Sequence, residues 1–207
     1  MRTRGMFAIS IALTTAALLY PGLTSAQNSA SGPADPPQAQ GVASQMVPAE
    51  ATLDKPIDAR KVHPGEEFKA TLSGTVQLKN GTELPRDTVL VGTIAADQMQ
   101  SGGTSTLALR FTKAQLKDGK VIPIKADIMG ISGPNEGDPT ESYFTSYNIT
   151  PWDGTTTNVD EPSAISGFDF HSRIGGQDSG LFESTKKDEI KLSAGSQIAL
   201  AIAAQSA

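Results

Sequence analysis

Between about Thr52 and Ser132, apolar and polar positions alternate in short runs broken by Gly, Pro and Asn. A period of two with regular punctuation predicts antiparallel strands. Phe68 to Leu72 and Val76 to Leu78 alternate in this way, and Lys79-Asn80-Gly81-Thr82 follows, where Asn-Gly predicts a type I′ hairpin turn. Leu84 comes next, with Pro85-Arg86-Asp87 as a turn. Val89 to Ala95 is almost wholly apolar and predicts a central strand, in which Gly92 marks a bend or a close backbone approach. A loose loop is expected from Gln98 to Gly103. From Thr104 to Thr112, Leu107, Leu109 and Phe111 share one face, and Thr106, Ala108 and Arg110 the other. Ala114 to Leu116 reads as one helical turn, Lys117 to Lys120 as a tight turn, and Val121 to Met129 as a strand. Pro123 cannot donate to a ladder, so that strand is expected at an edge or with a bulge there.

From Gly133 to Gly180 the periodicity fades into Gly, Pro, Asp, Ser, Thr and Asn with scattered aromatics, which predicts a long irregular excursion. Short strands return at 180–182, 190–192 and 198–202, so the C-terminus is expected to close the sheet. The fold class is therefore all-β: a small antiparallel barrel or sandwich over residues 51–207, with the excursion at 133–180.

The N-terminus follows a different pattern. Arg2 and Arg4 precede an uncharged run from Met6 to Tyr20, then Pro21-Gly22 and the small residues Ser25-Ala26 before Gln27. This predicts a signal peptide over residues 1–26, cleaved after Ala26, and a periplasmic or secreted location. The run is shorter than the roughly 20 apolar residues of a spanning helix and is interrupted by Pro21, which leaves an uncleaved anchor as the lesser alternative; no later segment is long enough, so no membrane span is expected after cleavage. Residues 27–50 are Ala, Ser, Pro, Gln and Gly without apolar periodicity and are expected as a disordered linker.

Charge narrows the partners. Cleavage leaves 15 basic and 22 acidic residues, a net charge of about −7, and no basic run exceeds Lys186-Lys187. Nucleic acid and anionic membrane surfaces are bound through Lys and Arg clusters, so neither is expected. The chain has no cysteine, so no disulfide staples the fold.

The order Gly81-Thr82-Glu83-Leu84-Pro85-Arg86-Asp87-Thr88-Val89-Leu90-Val91-Gly92 resembles a pattern of Gly, two residues, Ile or Leu, Pro, Gly-Ser or similar, an apolar run and Gly. It is found in the C-terminal β-barrel domain of TrbI-like scaffold proteins of type IV secretion and conjugation machines. Leu107 to Phe111, Asp118 to Ile124 and Gly195 to Ile198 follow in the same order, so the resemblance spans residues 61–131 and 190–203. It implies a barrel fold and a structural or adaptor role in the cell envelope. The chain departs from the pattern at Asp87, where the family has Gly, and in carrying a signal peptide where the family has an inner-membrane anchor.

Candidate chemistry is sparse. His63, before Pro64, is expected on a surface turn, and His171 lies in the excursion; as isolated histidines they predict no metal site. Asp169, His171 and a serine could be written as a triad, yet no Gly-x-Ser-x-Gly elbow accompanies them, so no catalytic residue and no enzymatic activity are expected. Asn135 to Glu141 offers oxygens to Ca²⁺ without EF-hand spacing and reads as solvated loop charge; no cofactor is expected. Tyr143, Phe144, Tyr147, Trp152, Phe168 and Phe170 are six of the nine aromatics after residue 26. They are the candidate binding residues, either as an exposed platform for polysaccharide or a protein partner, or folded back as a small core. The expected partner is an envelope protein, with a polysaccharide as the alternative. Asn80-Gly81-Thr82 and Asn148-Ile149-Thr150 fit the glycosylation acceptor pattern, the first better explained as a turn.

Overall fold

The computed structural model describes residues 37–99, 105–134, 149–162, 165, 167–186 and 190–205, all within one unit, Asp35–Ala207. The expected signal peptide, the acidic loop 135–141 and Tyr143, Phe144 and Tyr147 lie outside the described residues. A short helix, α1 (Pro37–Ala43), precedes the strands β1 (Val47–Leu53), β2 (Ile57–Asp58), β3 (Glu67–Leu72), β4 (Val76–Gln77), β5 (Glu83–Leu84), β6 (Val89–Met99) and β7 (Ser105–Gln115). They are followed by β8 (Val121–Pro134), β9 (Asn158–Pro162), β10 (Asp169–Arg173), β11 (Gly180–Ser184), β12 (Lys191–Leu192) and β13 (Ser196–Ala204).

Six of these strands close into an antiparallel barrel in the order β6-β3-β1-β13-β8-β7, with β7 returning to β6. Alternation sets the register: in β3, Phe68, Ala70 and Leu72 are buried while Lys69 is exposed, and in β7, Leu107, Leu109 and Phe111 point into the core. A slip of one residue would turn each set outward. β13 is the closing strand, pairing with β1 on one side and β8 on the other, and its Ile198, Leu200 and Ile202 are fully buried.

The barrel needs local bends, and glycine and bulges supply them. β6 shifts register against β7 at Val91/Gly92 and again at Ile94/Ala96. A Cβ on Gly92 would lie 2.4 Å from the Phe68 ring and 2.7 Å from the Arg110 carbonyl oxygen, so the close approach expected there is present. It lets Phe68 and Phe111 meet edge to face, with ring centroids 4.9 Å apart. At Pro123 the expected bulge is also present: β8 advances three residues, Ala126 to Pro123, while β7 advances two, Phe111 to Lys113.

Two small sheets stopper opposite ends of the barrel. β2 pairs with β12 where β1 ends and β13 begins, and β4 pairs with β5 where β3 ends and β6 begins. Ile57, Ala59, Ile190 and Leu192 at one end, and Val76, Leu78 and Leu84 at the other, join the same core as the barrel wall.

The two tight turns share one construction. In Leu78-Lys79-Asn80-Gly81-Thr82, the Gly81 N–H donates to the Leu78 carbonyl (3.0 Å), the Leu78 N–H to the Thr82 carbonyl (2.8 Å), and the Thr82 N–H to Asn80 Oδ1 (3.0 Å). Leu116-Lys117-Asp118-Gly119-Lys120 repeats these three bonds at 3.0, 2.9 and 2.9 Å. Gly81 and Gly119 have positive φ (84° and 86°), whereas Asn80 does not. The type I′ expectation is thus corrected: a right-handed turn ends in a left-handed glycine, and Asn80 acts through its side chain.

Three other expectations change. The ordered fold starts before residue 51, because α1 and β1 occupy part of the stretch expected as linker, and Ala49 and Ala51 are core residues. Ala114 belongs to β7 and not to a helical turn, since its partner Ile122 holds it in the ladder. β9, β10 and most of the approach to β11 fall inside the excursion expected to be irregular. Composition hid them because their inward positions, Val159 and Phe170, are separated by Gly, Ser and Asp that serve turns and an exposed face.

Candidate functional site

β9, β10 and β11 form an antiparallel extension grafted onto β7. Ser105 to Leu109 of β7 pair with β11, whereas Phe111 to Gln115 pair with β8. The change of partner would strand backbone groups, and Ser179 fills the gap. Its N–H donates to the Leu109 carbonyl (2.8 Å), its carbonyl accepts from Ile128 N–H (2.7 Å), and its Oγ accepts from Phe111 N–H (2.9 Å). Buried backbone groups need partners, so Ser179 is what makes the fork tolerable. Arg110 and Asp178 brace the same junction from outside, 2.7 Å apart.

The inner face of the extension continues the core. Phe182 packs against Phe168 (5.4 Å between centroids) and Phe170 (5.2 Å), and all three are buried. Trp152 is buried as well, in a second cluster with Ala43, Met46, Ile174 and Ala201, and its Nε1–H donates to the Thr156 carbonyl (2.8 Å). The turn that carries it is fixed by Asp153, whose carboxylate accepts from the Thr155 and Thr156 N–H groups, both at 2.8 Å. Those bonds, the Thr156 N–H foremost, hold its carboxyl well below the usual range. Of the two alternatives for these aromatics, the folded-back core holds for Trp152, Phe168 and Phe170, whose rings are packed inside, and the exposed platform does not.

The outer face carries charge. Ile174 N–H donates to the Thr157 carbonyl (2.9 Å), which makes 157/174 a bonded pair; by alternation 159/172 and 161/170 are bonded, and 158/173 and 160/171 are not. Side chains of non-bonded pairs lie closest, and His171 Nδ1 meets Asp160 Oδ1 directly. On the other side of the ring, Nε2 is 3.7 Å from Glu183 Oε2. The carboxylates flank opposite ring edges, so they cannot converge on one ion, and no cluster of three or more metal-binding side chains occurs among the described residues.

Among the described residues, Ser172 does not join His171 in a triad. Ser172 sits beside His171 in the strand and so on the opposite face; it is buried, with its Oγ donating to the Ser179 carbonyl (3.2 Å). His63 is exposed in a turn closed by the Glu66 N–H on its carbonyl (3.1 Å).

One buried carboxylate escaped the sequence reading. Asp127, in β8, is the cross-strand partner of Ala201 and is 1 % exposed. Its Oδ2 accepts from Gly175 N–H (3.2 Å), and neighbouring Lys125 donates from Nζ to the Gly176 carbonyl (3.0 Å). Burial pushes the Asp127 carboxyl up to about 6, against the opposing effects of the Gly175 bond and Lys125. Both side chains latch the β10–β11 turn onto the barrel wall. A lone Asp between Ala126 and Ile128 has no motif, and only its position beneath that turn reveals it.

No protein-family model matches this chain, and no curated protein matches it either.

Proposed function

We propose that this protein is a non-enzymatic β domain acting outside the cytoplasm, in the periplasm or as a secreted protein, as a structural or adaptor element of the cell envelope. The observation that carries the reading is where the TrbI-like segments fall. Residues 61–131 and 190–203 supply β3, β6, β7, β13 and most of β8, five of the six barrel strands. Asp87, which stands where the resembling pattern has Gly, has φ 64°, a left-handed conformation that Gly adopts readily. On this reading the barrel is the rigid support and the extension is the addition that contacts a partner.

The side-chain chemistry supports a non-enzymatic role. Ser172 and Ser179 use their hydroxyls on backbone groups, and His171 has both ring nitrogens facing carboxylates. A general base needs one nitrogen turned toward its substrate.

The test is crosslinking of the tagged protein in intact cells, with N-terminal sequencing of the recovered chain and identification of what it captures. Gln27 at the N-terminus with one stoichiometric envelope partner is the expected result. Gln27 with no partner would defeat the adaptor role, and an intact Met1 would defeat the cleaved signal.

A further inference from the structure

Closing the barrel removes the free edges of its six strands, and the extension brings one back. In the nine-stranded sheet β9 is the terminal strand, paired with β10 and with no other strand among the described residues. The register that bonds 159/172 and 161/170 turns the N–H and C=O of Asn158 and Asp160 away from β10, toward the open side. Pro162 ends the row, and by the same alternation its missing N–H faces outward, where no internal bond is lost.

We propose that this edge accepts an extended segment of a partner protein in which Lys or Arg alternates with apolar residues, adding a strand to the sheet. The inference rests on the adaptor reading and deepens it. Backbone bonds supply affinity in such an addition, and the alternating side chains supply selectivity. On the inner side of β9 lies Val159, buried beside the Phe168, Phe170 and Phe182 core, so apolar side chains on the inner face of an added strand would extend that core. On the outer side lie Asp160, whose side chain is 68 % exposed, His171 and Glu183.

Charge is segregated in the same sense. Residues 47–134, which hold every barrel strand but β13, contain 11 basic and 10 acidic residues, whereas residues 149–186 contain two basic and six acidic. The acidity of the described chain therefore belongs to the extension, and a basic segment is the complement of this edge. The same features disfavour a second copy of the chain: β9 against β9 would bring Asp160 near its like, and Pro162 shortens the ladder.

The test uses the full exported chain and a fluorescent, end-capped octapeptide of alternating Lys and Val, with alternating Glu and Val as the control. Binding is read by anisotropy, and exchange of the Asn158 and Asp160 amides by NMR. The expected result is salt-sensitive binding of the Lys peptide, slowed exchange at both amides, and affinity about tenfold weaker or worse for Asn158→Pro and for Asp160→Lys. Asn158→Pro removes an outward N–H and no internal bond; should it fail to fold, Asp160→Lys and the amide exchange carry the test. Absence of binding, equal binding of the Glu peptide, or unprotected amides in the complex would overturn the inference. So would a dimer of the free protein in sedimentation that Asn158→Pro dissolves, since a second copy would then own the edge.

The two readings fail separately. A cellular partner captured equally by wild type and Asn158→Pro removes the edge and leaves the adaptor role; peptide binding at the edge with no cellular partner does the reverse.

Discussion

Asp127 is the residue whose chemistry departs furthest from its surroundings. Its carboxyl titrates near 6 in the fold and at 3.8 when unperturbed, so the folded state holds an extra proton between those values. The stabilisation from that proton is complete below about pH 4 and is lost as pH rises through 6, amounting to about 3 kcal/mol. Asp127→Asn is expected to flatten this dependence, with stability equal to wild type at about pH 4 and higher by about 1 to 3 kcal/mol at neutral pH. Urea denaturation of both proteins across that range checks it, and a variant less stable than wild type at neutral pH would show that the ionised form earns its place in the latch. Gly92 is constrained by space. Gly92→Ala puts a methyl into the Phe68 ring and the Arg110 carbonyl, and is expected to cost about 1 to 3 kcal/mol by the same measurement.

At the scale of elements, the fork in the sheet and the paired turns make distinct demands. Ser179→Ala leaves the backbone bonds of residue 179 in place but deprives the buried Phe111 N–H of its acceptor, an expected loss of about 1 to 3 kcal/mol in thermal or urea unfolding. Hydrogen exchange at Phe111 should quicken before exchange elsewhere in β7. The turns tolerate more. Asp118 performs in one turn what Asn80 performs in the other, so Asn80→Asp is expected to change stability by less than about 0.5 kcal/mol. Lys117 holds Asp87 at 2.9 Å and lowers its carboxyl, tying one of these turns to the left-handed residue where the resembling pattern has Gly.

For the whole molecule, closure depends on the last strand. Leu200→Ala empties space between β1 and β8, and is expected to cost about 2 to 5 kcal/mol, whereas Val121→Ala, at a site 52 % exposed, should cost less than about 0.5. Equal losses from the two substitutions would mean that the barrel is not held by its interior. A chain ending before Ser196 would leave β1 and β8 with facing unpaired edges, which also places Ile128 and Ile131 against water.

Local patterning by itself determined the all-β class, the inward faces of β3 and β7, the close approach at Gly92, the bulge at Pro123 and the return of the chain through β13. Each of these follows from period-two alternation or from what Gly and Pro do to a backbone, and such signals are read within a few residues. Only the tertiary structure decided that α1 and β1 join the domain, that 158–162 and 169–173 form strands, and that Trp152, Phe168 and Phe170 are interior. Those outcomes depend on surfaces brought together from distant positions: Phe182 is buried because β7 lies beside it, 75 residues back at Leu107. Asp127, Ser179 and the Asp160–His171–Glu183 row belong to the same kind. Their roles come from burial, from a change of strand partner and from cross-strand register, none of which has a spacing in the chain.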